Sequence, residues 1–181
     1  GMLTTTGSNN VALGNQALIQ NTSGGNNVAV GTNSRYSATI ATYNTAVGAQ
    51  ASYQNLTGEY NTALGAYALW NNTAGEKNTA VGYAALSTAT GSNNIGVGNN
   101  TRLASAANTN SIVIGVDATG LGSNTTRIGN SNTVLTYLSG NTVVGSSTTN
   151  DASASLQINS TTKGFLPPRM TALEAEAIAA P

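Results

Sequence analysis

From residue 9 to residue 116 the chain repeats one short hydrophobic and polar phrase. Val11-Ala12-Leu13, Val28-Ala29-Val30, Thr45-Ala46-Val47, Thr62-Ala63-Leu64, Thr79-Ala80-Val81, Ile95-Gly96-Val97 and Ile112-Val113-Ile114 each stand immediately before a glycine. The outer two residues of each triplet are β-branched or aliphatic, and the middle one is small in all but the last. That is the period-two signature of a short β-strand. The glycines that close the triplets, Gly14, Gly31, Gly48, Gly65, Gly82, Gly98 and Gly115, recur at intervals of 17, 17, 17, 17, 16 and 17 residues. A period this strict describes one supersecondary unit stacked on itself, so the chain is predicted to be a solenoid.

Each glycine is expected to end its strand through a positive φ or a close backbone contact. A second apolar point follows three or four residues later, at Ala17-Leu18, Ala68-Leu69 and Ala85-Leu86, with Ala51 and Ala118 alone. It predicts a second short strand. The return segment carries a glycine turn at Ser23-Gly24-Gly25, Thr57-Gly58, Ala74-Gly75 and Thr90-Gly91. The repeat between Gly31 and Gly48 lacks this glycine, so its turn is expected to differ. Two strands and two turns make one coil of an all-β parallel β-roll or β-helix. Coils stack about 4.8 Å apart, and seven of them give a rod on the order of 30 Å long. A repeat of two helices is excluded by length.

The larger side chains of each triplet, including Thr45, Thr62 and Thr79, are expected to point into the core. The alanine face would then need covering from outside. A coil so thin is expected to find that cover in copies of itself, which predicts a homotrimer, intertwined or side by side.

Composition narrows the function classes. Charged residues make up 7% of the chain, against about 25% in ordinary soluble proteins, and the net charge is zero. Arg35, Lys77, Arg102, Arg127, Lys163 and Arg169 are scattered and form no patch for phosphates, so no nucleic-acid partner is expected. No apolar run approaches the ~20 residues of a membrane span, so no membrane insertion is expected, and no signal peptide is visible. Gly1-Met2 and the end at Pro181 read as cut ends. Cysteine and histidine are absent, which removes the commonest metal ligand and general base.

Past Gly115 the register loosens, with Gly129 after 14 residues and Gly145 after 16. The expected organisation is a regular array at 9–116, a transitional irregular β-region at 117–158, and a linker with a short helix at 159–181. Pro167 and Pro168 hold Lys163 to Arg169 extended. Thr171 and Glu174 then read as a capping box, opening a helix with Leu173, Ala177 and Ile178 as its apolar contacts.

Little in the chain points to catalysis, and neither a cofactor nor a metal is expected. Glu59 and Glu76 lie one repeat apart and would be neighbours on a stacked surface, the minimum for a glycosidase pair. A solvated position copied by duplication explains them more simply. The aspartates of calcium-binding solenoids are missing. Tyr36, Tyr53 and Trp70 share a column five residues past their glycines, where Ile19 and Leu103 stand in other coils. They form a candidate surface-binding column for sugars, against the simpler reading that they pack between chains or cap the roll's edge. Tyr43 and Tyr60 form a second aromatic column. Asn21, Asn55 and Asn72 share a third, predicting amides bonded from coil to coil.

Asn9-Asn10-Val11-Ala12-Leu13-Gly14 resembles the head repeat of trimeric autotransporter adhesins. The resemblance implies a left-handed parallel β-roll that is stable only as a trimer. The repeats of that family are a little shorter, so the turns must differ. Thr126-Arg127-Ile128-Gly129-Asn130-Ser131, Leu138-Ser139-Gly140-Asn141-Thr142-Val143-Val144-Gly145, Ser153-Ala154-Ser155-Leu156-Gln157-Ile158 and the stretch from Asn159 through Lys163-Gly164-Phe165-Leu166-Pro167-Pro168-Arg169-Met170-Thr171 look like phage tail-fibre shafts. In such proteins this stretch often precedes an intramolecular chaperone. Together the resemblances imply an extracellular, trimeric, adhesive or structural fibre segment of a virion tail or cell surface. Its partners would be its own copies and a cell-surface glycan or protein receptor. A bacterial adhesin head and a glycan- or ice-binding solenoid are the alternatives, and an enzyme is the weakest.

Overall fold

The computed structural model describes residues 6–133 and, by their backbone, the strands Thr142–Gly145 and Leu156–Asn159. Residues 6–133 form a solenoid. Its strands are β1 (Val11–Leu13), β2 (Val28–Val30), β3 (Thr45–Val47), β4 (Thr62–Leu64), β5 (Thr79–Val81), β6 (Ile95–Val97), β7 (Ile112–Ile114) and β8 (Thr126–Ile128). They pair in sequence order as one parallel sheet, each triplet in register with the next. The sheet therefore runs through β8, inside the stretch read as transitional. Separately, β9 (Thr142–Gly145) and β10 (Leu156–Asn159) form a parallel pair, with Leu156 opposite Thr142. The extended segment at Lys163 to Arg169 and the capped helix after Thr171 lie outside the described residues.

Two features make the coil. The first is the closing glycine. Gly48 has a φ of 133°, and a Cβ there would stand 2.5 Å from the carbonyl carbon of Gly65 in the next rung. Side chains are excluded both by backbone conformation and by the closeness of the neighbouring rung. The second is a ladder of asparagines just before each strand. Asn27, Asn44, Asn61, Asn78 and Asn94 are fully or almost fully buried. The Oδ1 of Asn44 accepts the backbone N–H of Asn61 at 2.8 Å, and the Oδ1 of Asn61 accepts that of Asn78 at 2.9 Å. The amide nitrogens reach the same neighbour: Asn44 donates to the Gly58 carbonyl at 2.9 Å and Asn61 to that of Gly75 at 2.8 Å. Asn10 begins this pattern and Ser111 ends it, its hydroxyl donating to the Gly122 carbonyl.

The structure places the ladder in a different column from the one expected. Asn21, Asn55 and Asn72 donate to the carbonyls of Gly24, Gly58 and Gly75, three residues on in their own coils. They brace corners rather than join rungs. The turn between Gly31 and Gly48 also keeps the common form. Ala41 takes the glycine's place, and its carbonyl accepts the Asn27 amide at 2.9 Å as Gly58 and Gly75 do for theirs.

The return arm is not a second strand. Gln16, Leu18, Asn33, Arg35, Gln50, Ser52, Tyr67, Leu69, Ala84 and Leu86 all have left-handed backbones, with φ between 48° and 60°. Left-handed residues at every second position curl the arm into turns, which still bond rung to rung, as from Leu69 N–H to the Ala85 carbonyl at 3.0 Å. Only Arg102 and Thr119 form a β-bridge there among the described residues.

The two faces of the strand are inverted relative to expectation. Ala29, Ala46, Ala63 and Ala80 point inward and are completely buried. They meet Leu18, Leu69 and Leu86 from the return arm, together with Ala17, Ala51, Ala68 and Ala85. The interior is too narrow for large residues from both sides. At Gly96 a Cβ would come 2.4 Å from Leu86 Cγ. The β-branched and aliphatic residues face outward instead: Thr45, Thr62 and Thr79 are partly exposed, and Val47 and Leu64 are each 38% exposed. Each rung thus fills its interior from its own chain, and covering the alanines requires no second copy.

Replacing Asn61 with alanine removes an acceptor and a donor that both serve the next rung. A loss of about 2–4 kcal/mol is expected from two buried hydrogen bonds, measured by urea unfolding. Asn72→Ala, which loses one bond inside a corner, should cost about half of that.

Candidate functional site

The aromatic columns lie on the solenoid surface, carried by the corners of successive rungs. Tyr36 and Tyr53 stack with ring centroids 5.0 Å apart and planes at 8°, and Tyr53 and Trp70 stack at 6.0 Å and 17°. The rung spacing alone brings them to this distance, since residues in one column lie about 4.8 Å apart along a parallel ladder. The candidate column is therefore assembled, with a consequence for what it can bind. Both faces of Tyr53 are covered by its neighbours. Ring edges and the outer faces of Tyr36 and Trp70 are all that the stack leaves uncovered by another ring.

The C-terminal end of the stack is open. The next residue in the column is Ser87, which carries no ring, and the one after it, Leu103, is buried. In that rung Arg102 is exposed, and its arm forms the bridge to Thr119, so the arm turns Leu103 inward instead of outward. The space left above Trp70 is a solvent-open cleft of about 350 Å³ lined by Tyr67, Trp70, Tyr83, Ala84 and Ser87. Trp70 is held from the opposite side by Tyr53 and by its Nε1, which donates to Gln50 Oε1 at 3.2 Å. Tyr67 and Tyr83 meet edge to face, with centroids 5.7 Å apart. Tyr67, Tyr83 and Ser87 are lining residues that the sequence columns did not single out. The signal was present as the break in the ring column at Ser87.

Tyr43 and Tyr60 form a separate stacked pair, 5.2 Å apart at 5°. Both have left-handed backbones immediately before ladder asparagines, and both are about half exposed.

The outward faces of β1 to β8 form a second surface. Val11, Leu13, Val47, Leu64, Ile95, Val97, Ile114 and Ile128 are between 37% and 66% exposed. Eight rungs thus present an aliphatic strip. Threonine stands outward at Thr45, Thr62, Thr79 and Thr126, interrupted by Ile95 and Ile112 and preceded by Val11 and Val28, so the strip is predominantly apolar rather than the regular threonine face that ice-binding would require.

Glu59 and Glu76 stand in adjacent rungs, which the Lys77 N–H joins through the Glu59 carbonyl at 3.0 Å. Glu59 accepts a hydrogen bond from the Thr42 hydroxyl at 2.7 Å, and Glu76 is exposed beside Lys77. Arg35, read as one of the scattered surface cations, is instead fully buried in the Leu18–Leu69 column, and none of its guanidinium nitrogens has a hydrogen-bond partner. Its place four residues past Gly31, where Leu18, Leu69 and Leu86 stand past their own glycines, was the available sequence signal. Ser52, also buried, holds the same position in the next rung.

A family model described as a phage tail-like trimerisation region matches residues 143–181. This match covers the C-terminal stretch alone. It supports a trimeric, phage tail-fibre-like protein. No curated protein and no solved structure matches the chain. Among the described residues no helix is long and apolar enough to cross a membrane.

Burial pushes the Arg35 guanidinium down from its usual, always-protonated range to about 9. The unfolded chain therefore holds this proton to higher pH than the folded one, and unfolding free energy rises with pH above about 9, until the unfolded chain's own guanidinium begins to lose its proton. Below that window the full cost of the buried charge remains. Arg35→Leu, which restores the column's own residue, is expected to stabilise the solenoid by about 1–4 kcal/mol at neutral pH in thermal unfolding. Its advantage over the unsubstituted chain should shrink as the pH is raised through 9.

Proposed function

We propose that this chain is a segment of a trimeric tail fibre. In this reading the solenoid serves as a shaft or knob, the stretch at 143–181 holds three chains together, and the assembly takes part in host-surface attachment. Its role is structural and adhesive rather than catalytic. The trimerisation-region match carries the reading. The aliphatic strip supports it independently. A contiguous apolar surface along eight rungs marks an interaction face, and one that repeats with the rungs suits identical rungs of parallel copies. In the trimer the three strips meet at the common axis, leaving the aromatic corners outside. The same match favours a tail fibre over a bacterial adhesin head.

Light scattering should give three times the 18.1 kDa chain mass. A monomer at micromolar concentration would sink the reading. With Val47→Lys and Leu64→Lys together, two rungs of the strip become charged. Inter-chain cross-linking across the solenoid should fall sharply, while the monomer's own interior, filled by Ala46 and Ala63, is untouched. Unchanged cross-linking would show that the strips do not meet.

A further inference from the structure

The aromatic stack stops one ring short. Tyr36, Tyr53 and Trp70 occupy three consecutive rungs, and the fourth position holds Ser87. The outer indole face of Trp70 is therefore uncovered. Its orientation is already set by Tyr53 beneath it and by the Gln50 amide on its Nε1, so a ligand settling on it orders nothing new. Two rungs separate Trp70 from Leu103, about 9–10 Å by the spacing of a parallel ladder. That height admits one saturated six-membered ring between the indole and the next rung. The cleft volume of about 350 Å³ lies at the small end of the range for ligand sites, about 300–1,000 Å³.

The lining specifies the chemistry. The floor is an aromatic face and the wall is the edge-to-face pair of Tyr67 and Tyr83. The Tyr67, Tyr83 and Ser87 side chains bring hydroxyls that make no hydrogen bond among the described residues. None of the lining residues is charged. A flat apolar face ringed by hydroxyls matches a ring with C–H groups on one face and hydroxyls at its edge.

We propose that Trp70, Tyr67, Tyr83 and Ser87 form a slot for one neutral pyranose ring of a surface polysaccharide, the sugar taking the place in the stack that Ser87 leaves empty. The proposal rests on the attachment reading above and deepens it by naming the ligand class. Stacking on Trp70 supplies the contact, and the three hydroxyls set the orientation. An acidic sugar would find no cation in the lining to offset the desolvation of its carboxylate. Tyr36, at the far end of the stack, takes no part.

Trp70 is the chain's single tryptophan, so its fluorescence reports on the slot alone. The full chain is titrated with cellohexaose, laminarihexaose and maltohexaose, and with hexagalacturonate as the acidic counterpart. A saturable change in emission is expected with at least one neutral hexasaccharide, and about tenfold weaker binding or less of it with hexagalacturonate. Ser87→Phe fills the slot with the missing ring and should weaken binding by about tenfold or more, the scale of one lost aromatic contact. Tyr36→Ala should leave binding unchanged. No saturable response to any neutral sugar, a response confined to the acidic one, or equal binding by Ser87→Phe would overturn the proposal. Light scattering on the same samples separates the two readings. If Ser87→Phe splits the oligomer, the slot is packing between chains and the proposal fails. A monomer that still binds the neutral sugar would retain the slot and sink only the fibre.

Discussion

The solenoid depends on a buried asparagine that spends both ends of its amide on the next rung. Asn44, Asn61 and Asn78 each accept a backbone N–H from the following ladder residue and donate to a carbonyl in the following coil. The residues before them, Tyr43, Tyr60 and Lys77, are held in the left-handed region, which bulky side chains rarely adopt. That conformation turns the asparagine inward. A single coil in isolation would have every such group unsatisfied. The rung is therefore a unit of geometry but not of stability, and hydrogen bonding between rungs does what a large apolar core does in other folds.

The period, the sheet and its register were legible in the sequence, because a glycine that must sit against the next glycine cannot be replaced. Which face of the strand was inside was not. Alternation identifies residues that share a face, and the larger set is usually the buried one. Here the coil is so narrow that Leu69 and Leu86 from the return arm already fill it, leaving room for nothing beyond Ala63 or Ala80 on the strand. The second strand was misjudged for a related reason. Ala68-Leu69 looks extended in sequence, whereas φ values near 50° at Tyr67 and Leu69 become tolerable only when neighbouring rungs hold the arm. Arg35 shows the reverse case, since its column forecast burial even though its chemistry argued for the surface.

The candidate site was half legible. Counting five residues past each glycine found Tyr36, Tyr53 and Trp70, and the rungs do bring them face to face. The same contact hides their faces from any ligand, which column counting cannot reveal. What matters for recognition is where the stack ends, and that is decided by the absence of a ring at Ser87 and by the inward turn of Leu103 in the neighbouring rung. Aliphatic and aromatic side chains are thereby presented on separate surfaces. The apolar strip suits association with copies, while the aromatic corner presents hydroxyls and a single open ring.

The interval between glycines falls once to 16 residues and, after a return to 17, to 14, without breaking the sheet: Thr79 still lies opposite Ile95, and Ile112 opposite Thr126. The missing residues are taken from the arc between one strand and the next, never from the strand or the residue before it, Asn94 in one case and Thr125 in the other. Length variation is thereby confined to one edge of the solenoid. Loops can be trimmed, extended or exchanged along that edge, and whole rungs duplicated, while the axis keeps its pitch.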